Sequence, residues 1–329
     1  MRTQGLPQGA GLAGPRRTHP RKLPFLGKMT MARREEIASW IFIFPWVIGF
    51  LAFIAGPMFA SLYLSFTETT MLQPPEYVGL LNYRNLFSTD VITSLFWKTL
   101  FNTSYYVFLS VPLELAVGFS IALLLNRDIV GRGIFRTIYY LPAVLPAVAV
   151  SLLWLLVFNA DFGVLNSLLA VFRIKGPAWL YEEAWAKPAL IIMSVWAAGG
   201  PMLIFLAGLQ GIPTEIYDAS KVDGAGAWSR FRHVTIPMVS PTIFFVLVTG
   251  IIGSFQVFTN TYIMTAGGPN NSTMMYVLYL FNLAFRQFHM GYASALAWVY
   301  FIIIMLFTVL VFRSSAAWVY YEAGITGGE

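Results

Sequence analysis

The chain has 329 residues, of which 57% are hydrophobic and only 11% charged, and its mean hydropathy is +0.67. A soluble domain carries about 25% charged residues, so an ordinary water-soluble enzyme is excluded on surface chemistry, and lipid is the solvent the composition asks for. The 21 Lys and Arg against 15 Asp and Glu give a net +6 without the aromatic interleaving of a nucleic-acid surface, and the lack of cysteine removes disulfides, thiolate catalysis and thiolate-held metal.

Residues 1–37 form a basic leader carrying Arg2, Arg16, Arg17, Arg21, Lys22, Lys28, Arg33 and Arg34. It is rich in Gly and Pro and has no apolar periodicity, so it is expected to be a disordered cytoplasmic tail, with association to anionic lipid as the alternative. Met29 or Met31 is a candidate for the natural start, an expectation that N-terminal sequencing checks. Six apolar stretches follow, at about 40–66, 96–125, 137–158, 188–209, 242–264 and 294–312. Each reaches or comes within a residue of the roughly 20 residues needed to cross ~30 Å of hydrocarbon. The first is far longer than the ~7–15 residue core of a secretory signal and is expected to stay as an anchor.

With the N-terminus inside, Arg127, Arg132, Arg136, Lys221, Arg230, Arg232 and Arg313 join the leader on the cytoplasmic face. Arg84, Lys98, Arg173, Lys175, Lys187 and Arg286 lie outside, an asymmetry in the direction of the positive-inside rule. Both termini are then cytoplasmic, the second being a tail over 314–329. Pro45, Pro57, Pro112, Pro142, Pro146 and Pro201 fall within spans and are expected to kink them.

The connection between spans four and five, 210–241, is the longest inside loop and the most charged. Thr214 is placed to cap a short helix, with Glu215 in its first turn and Asp218 and Lys221 at helical spacing. Gly224 ends it in the left-handed conformation. A second helix is expected over about 227–234, with Pro237 preventing its continuation. Charge is segregated, since Glu215, Asp218, Lys221 and Asp223 precede Arg230, Arg232 and His233. Ile216, Tyr217, Ala219 and Val222 give the first helix an apolar component. On the residues alone, this is either a docking element or an amphipathic helix packing on its own membrane domain.

The run DASKVDGAGAWSRFRHVTIPMVSP, 218–241, resembles the EAA loop of ABC-importer membrane subunits. Asp218, Ala219 and Ser220 stand where Glu-Ala-Ala is usual, while Asp223, Gly224, Ala225, Phe231, Pro237 and Pro241 match the pattern. YVGLLNYRNLF at 77–87, the Thr265, Gly267, Gly268, Pro269 and Thr273 pattern, and Phe285, Gly291, Tyr292 and Ala293 resemble the permeases of binding-protein-dependent carbohydrate importers, including those for maltose and glycerol phosphate. The likeness covers about 38–312.

The resemblance implies an all-α polytopic membrane protein of about six transmembrane helices, with the type I ABC importer permease fold, in the cytoplasmic (inner) membrane of a prokaryote. It implies a sugar as solute, a di- or oligosaccharide, with a polyol or glycerol phosphate as the alternative. The partners implied are a second homologous permease, two ATPase subunits and an extracytoplasmic solute-binding protein. No phosphate-binding Gly-Lys-Ser/Thr loop is present, so ATP and Mg are expected on the partner ATPases and no cofactor or catalytic residue on this chain. His19, His233 and His289 are scattered without metal spacing.

In such importers Glu215, Asp218, Ala219, Ser220, Asp223, Gly224 and Ala225 would couple to the ATPase. By similarity to the maltose permease, the solute path would include Gly199, Met202, Gly250, Ser254 and Val257. Glu114, a carboxylate inside an apolar span, joins them because such a group is costly in lipid unless it has a task. Asn102, Gln256 and Asn260 are further polar candidates, and Trp154, Trp196 and Trp298 are expected to anchor at the interface or stack on sugar. A stand-alone secondary transporter or channel is the competing class, and it would need more intramembrane charge than Glu114 supplies.

Overall fold

The computed structural model describes residues 30–70, 74–87 and 91–320. Most of the basic leader, including His19 and Met29, and residues 321–329 of the C-terminal tail lie outside these. The described chain divides into two compact units between Ala60 and Ser61. The first holds α1 (Met31–Phe50) and a wide π-helical turn, Leu51–Ala55. The leader expectation needs correcting at its end: residues 31–37 are helical, since MARREEI is built from good helix formers.

The second unit starts within α2 (Gly56–Ser65) and continues through a two-stranded antiparallel hairpin, β1 (Thr67–Glu68) and β2 (Glu76–Tyr77), with Thr67 opposite Tyr77. Then come α3 (Leu81–Leu86) and the long α4 (Val91–Leu125). Residues of the 77–87 motif staple this region: Asn82 Nδ2 donates to the Ser65 and Thr67 carbonyls at 2.9 Å each, and Tyr83 Oη lies 2.7 Å from Ser65 Oγ. The chain continues as α5 (Arg132–Val144), α6 (Ala147–Val157), α7 (Val164–Val171), α8 (Glu183–Trp196) and α9 (Gly199–Gln210). After α10 (Thr214–Val222) and α11 (Ala227–Arg230), a π-helical turn at Phe231–Thr235 leads into α12 (Ile236–Phe255). The last elements are α13 (Thr259–Met264), α14 (Tyr276–Phe281) and α15 (Met290–Ser315).

Four helical runs among the described residues are long and apolar enough to cross a membrane, and two bent pairs bring the number to six. The bent pairs are the third and fourth expected spans. The third is broken by 101° between α5 and α6, because Pro146 drives Leu145 out of the helical region to φ −69°, ψ 140°. The fourth bends by 42° between α8 and α9. That bend sits one turn before Pro201, which has no N–H to offer the Ala197 carbonyl; the Gly200 amide reaches it at 3.4 Å instead.

Pro237 does not stop the helix that begins at Ala227, contrary to expectation. The π turn at 231–235 widens the backbone around His233, whose carbonyl the Pro237 ring would otherwise strike, so the helix runs on into α12. Pro241 leaves the Pro237 carbonyl without its amide partner, and Ser240 Oγ donates to it at 2.6 Å. α4 is the central strut, packing along α8, α9 and α12. The start of the expected C-terminal tail is docked: the Tyr320 amide donates to Ser240 Oγ at 2.8 Å and Trp318 packs edge-on against Phe244.

Candidate functional site

The loop between α9 and α12 is a structured corner. α10 ends in paired terminal bonds, the Gly224 amide to the Lys221 carbonyl at 3.0 Å and the Ala225 amide to the Ser220 carbonyl at 2.9 Å. The second needs a left-handed residue at Gly224, whose φ is +76°. Asp218 and Lys221 form an exposed ion pair at 2.8 Å across one turn. Thr214 is the first helical residue, not the cap; Pro213 occupies the cap position and has no side-chain acceptor to give.

The apolar component of α10 splits between two fates. Tyr217 turns back onto the chain's own core, its hydroxyl 3.0 Å from Thr235 Oγ1. Val222 points away and is 88% exposed, as is Trp228 at 71%. Arg230 Nη1 donates to the Ala225 carbonyl at 2.9 Å, holding the glycine corner against the second helix. Between α10, α11 and the C-terminal end of α4 lies a cleft of about 890 Å³ that includes Asp218, Lys221, Trp228 and Arg127. Glu215, Ala219 and Asp223 are exposed around it.

The expected solute-path residues do not form one constellation. Glu114 and Gly250 line a cavity of about 500 Å³, whose other walls, among them Val111, Leu203, Ile204 and Val246, are largely apolar. Ser254 and Val257 line a separate one of about 260 Å³ with Tyr106 and Asn260. Met202 is fully buried and Gly199 packs so closely on α5 that a Cβ would collide with the Tyr139 carbonyl. These two positions serve helix packing in this structure and line neither cavity.

Two polar candidates and a tryptophan turn out to be ties. Asn102 donates to the carbonyls of Asn271 at 2.8 Å and Met274 at 3.2 Å and accepts from Lys187 Nζ at 3.0 Å. Asn260 accepts from Ser151 Oγ at 3.1 Å, fastening α13 to α6. Trp154 is buried against Phe158 and Trp196, with ring centroids 4.8 and 5.8 Å away, so it is neither interfacial nor open to stacking. Sequence reasoning missed the reason for the 265–273 pattern: Thr265 and Thr273 hydroxyls meet at 2.6 Å and Thr273 also donates to the Gly268 carbonyl, closing the loop that Asn102 then holds. The paired threonines were the available signal.

Residues 114–319 match the family described as "binding-protein-dependent transport system inner membrane component". Among curated proteins, the chain is 42% identical to the probable ABC transporter permease protein YesP of Bacillus subtilis, over 90% of this chain and 96% of that one. It is 36% identical to the lactose transport system permease protein LacF of Rhizobium radiobacter, over 87% and 95% respectively. Among solved structures, a chain of a bacterial ABC transporter that imports the acidic polysaccharide alginate superposes with a TM-score of 0.75 at 22% identity, covering 87% of this chain and 97% of that one.

Proposed function

The chain belongs to the binding-protein-dependent transport system inner membrane components, among the sugar ABC transport permeases, and on that premise we propose that it moves a di- or oligosaccharide across the cytoplasmic membrane on energy supplied by separate ATPase subunits. A soluble receptor delivers the solute outside, a second homologous permease completes the path, and both termini of this chain lie in the cytoplasm. ATP and Mg bind the ATPases; this chain converts their closure into rocking of its spans.

The corner at Glu215–Ala225 is the observation that carries this reading. It is capped, fixed to its own membrane domain on one side by Tyr217 and braced within the loop by Arg230, and on the other presents Val222 beside the Asp218–Lys221 pair. Val222 and Trp228, both bare on a loop rimmed by charge, are apolar surface of the kind a docking partner covers. Glu215, Asp218, Ala219, Ser220, Asp223, Gly224 and Ala225 then form the contact with the ATPase. Glu114 and Gly250, with Ser254 and Val257, lie along the solute path as two cavities that the partner permease joins.

Coexpression of the chain with a partner permease, ATPase subunits and a solute receptor tests this. A complex that copurifies an ATPase and takes up sugar only with ATP and receptor is the expected result; sugar transport by the isolated chain overturns it.

A further inference from the structure

Two of the basic residues that the charge pattern places outside converge on one spot. Lys187 Nζ on α8 donates to Asn102 Oδ1 and stands 5.3 Å and 5.1 Å from the ring centroids of Phe101 and Tyr105 on α4. Lys98 Nζ, on the same face of α4, donates to the Asn270 carbonyl at 2.6 Å, and the two ammonium groups repel each other. Glu183, one turn before Lys187, attracts it. Yet among the described residues neither lysine has a carboxylate within ion-pair distance; the pairs formed are Asp128–Arg132 and Asp218–Lys221.

Both lysines are half-buried and each ammonium has spent one of its three donors on the contacts above. Like charges held together in a partly desolvated place are unfavourable unless an anion joins them. The surroundings select the kind of anion. Lys187 stands over one face of the Phe101 ring, and with Phe101 64% exposed the other face remains open for a pyranose C–H face, while Asn102 is already engaged with the loop. An isolated acidic side chain would use the charges but not the ring.

We propose that Lys98 and Lys187, with Phe101 beside them, form a reception site for the carboxylate of an acidic sugar, so that the solute this permease passes is an oligosaccharide containing uronic acid. This rests on the sugar-permease function proposed above and narrows its substrate class. Lys98 lies about 24 Å along α4 from Glu114, from 16 residues at ~1.5 Å each, so the pair acts at entry and not in the cavity around Glu114.

The test uses the assembled complex with its receptor in proteoliposomes, and follows uptake of maltotriose and of trigalacturonate by the unmodified protein, K98Q/K187Q and K98R/K187R. Unmodified complex should take up trigalacturonate, K98Q/K187Q should lower that uptake about tenfold or more, as expected for losing charge-assisted hydrogen bonds, and K98R/K187R should restore it. Failure to take up trigalacturonate overturns the acidic-sugar assignment alone, whether or not maltotriose enters, and uptake of either sugar that needs neither ATP nor receptor overturns the permease reading with it. Trigalacturonate uptake that survives K98Q/K187Q removes the lysines from recognition. A fall in receptor-stimulated ATP hydrolysis in K98Q/K187Q without any sugar shows that they serve receptor docking or the fold, and also overturns the proposal.

Discussion

Replacing Gly224 by alanine isolates the backbone conformation of the coupling corner. A Cβ at Gly224 meets no atom of the chain within 4 Å, so G224A creates no internal collision. What remains is the left-handed φ of +76°, which costs an L-residue roughly 1–2 kcal/mol. That lowers the fraction of molecules with the corner formed by about 5–30-fold relative to opened alternatives, and docking weakens in proportion to the competent fraction. Asparagine tolerates the left-handed region, so G224N should recover most of what alanine loses. The assay is sugar taken up per ATP hydrolysed in proteoliposomes, with assembly checked by copurification of the ATPase. Uptake by G224A equal to that of the unmodified, fully assembled complex refutes the role of the corner, and G224N behaving no better than G224A refutes the conformational explanation.

Other substitutions probe the remaining parts. G199A forces α5 and α9 apart at the Tyr139 carbonyl, an overpacking of about 1–3 kcal/mol that should lower the thermal midpoint of the purified complex; an unchanged midpoint contradicts the packing assigned to Gly199. N102A removes three hydrogen bonds between α4, Lys187 and the 271–274 loop, and at about 0.5–1.5 kcal/mol each it should raise amide exchange in that loop while leaving the 214–225 corner protected. E114Q keeps the shape of the side chain lining the 500 Å³ cavity and removes its charge; sugar uptake should fall with ATPase assembly intact, and uptake at the unmodified rate takes Glu114 out of the solute path.

Much of the architecture was legible because its causes are local. Long apolar runs marked the spans, and Gly224 after a short amphipathic segment marked the helix end seen in the paired bonds to Ser220 and Lys221. Which prolines break a span was not legible. Pro45 and Pro112 sit inside continuous helices, Pro146 produces the 101° break, and Pro237 is absorbed by a π turn. The difference lies in whether the backbone can widen around the i−4 carbonyl, which depends on neighbours the sequence does not place. Of the residues expected along a solute path, Glu114 and Ser254 face cavities, whereas Gly199 and Met202 are committed to helix contacts that no sequence pattern marked. Lys98 and Asn102 share a face of α4 at helical spacing, but their cluster is completed by Lys187, 85 positions beyond Asn102, and by the 270–274 loop, which no periodicity links to them.

The most direct test of the central claim is uptake of labelled sugar into proteoliposomes holding this chain, its partner permease and the ATPases, with ATP enclosed and receptor outside. The account predicts uptake that requires both ATP and receptor and that is abolished when the ATPase subunits are omitted. Uptake by the permease chains alone, at the same rate with or without ATP, would contradict it.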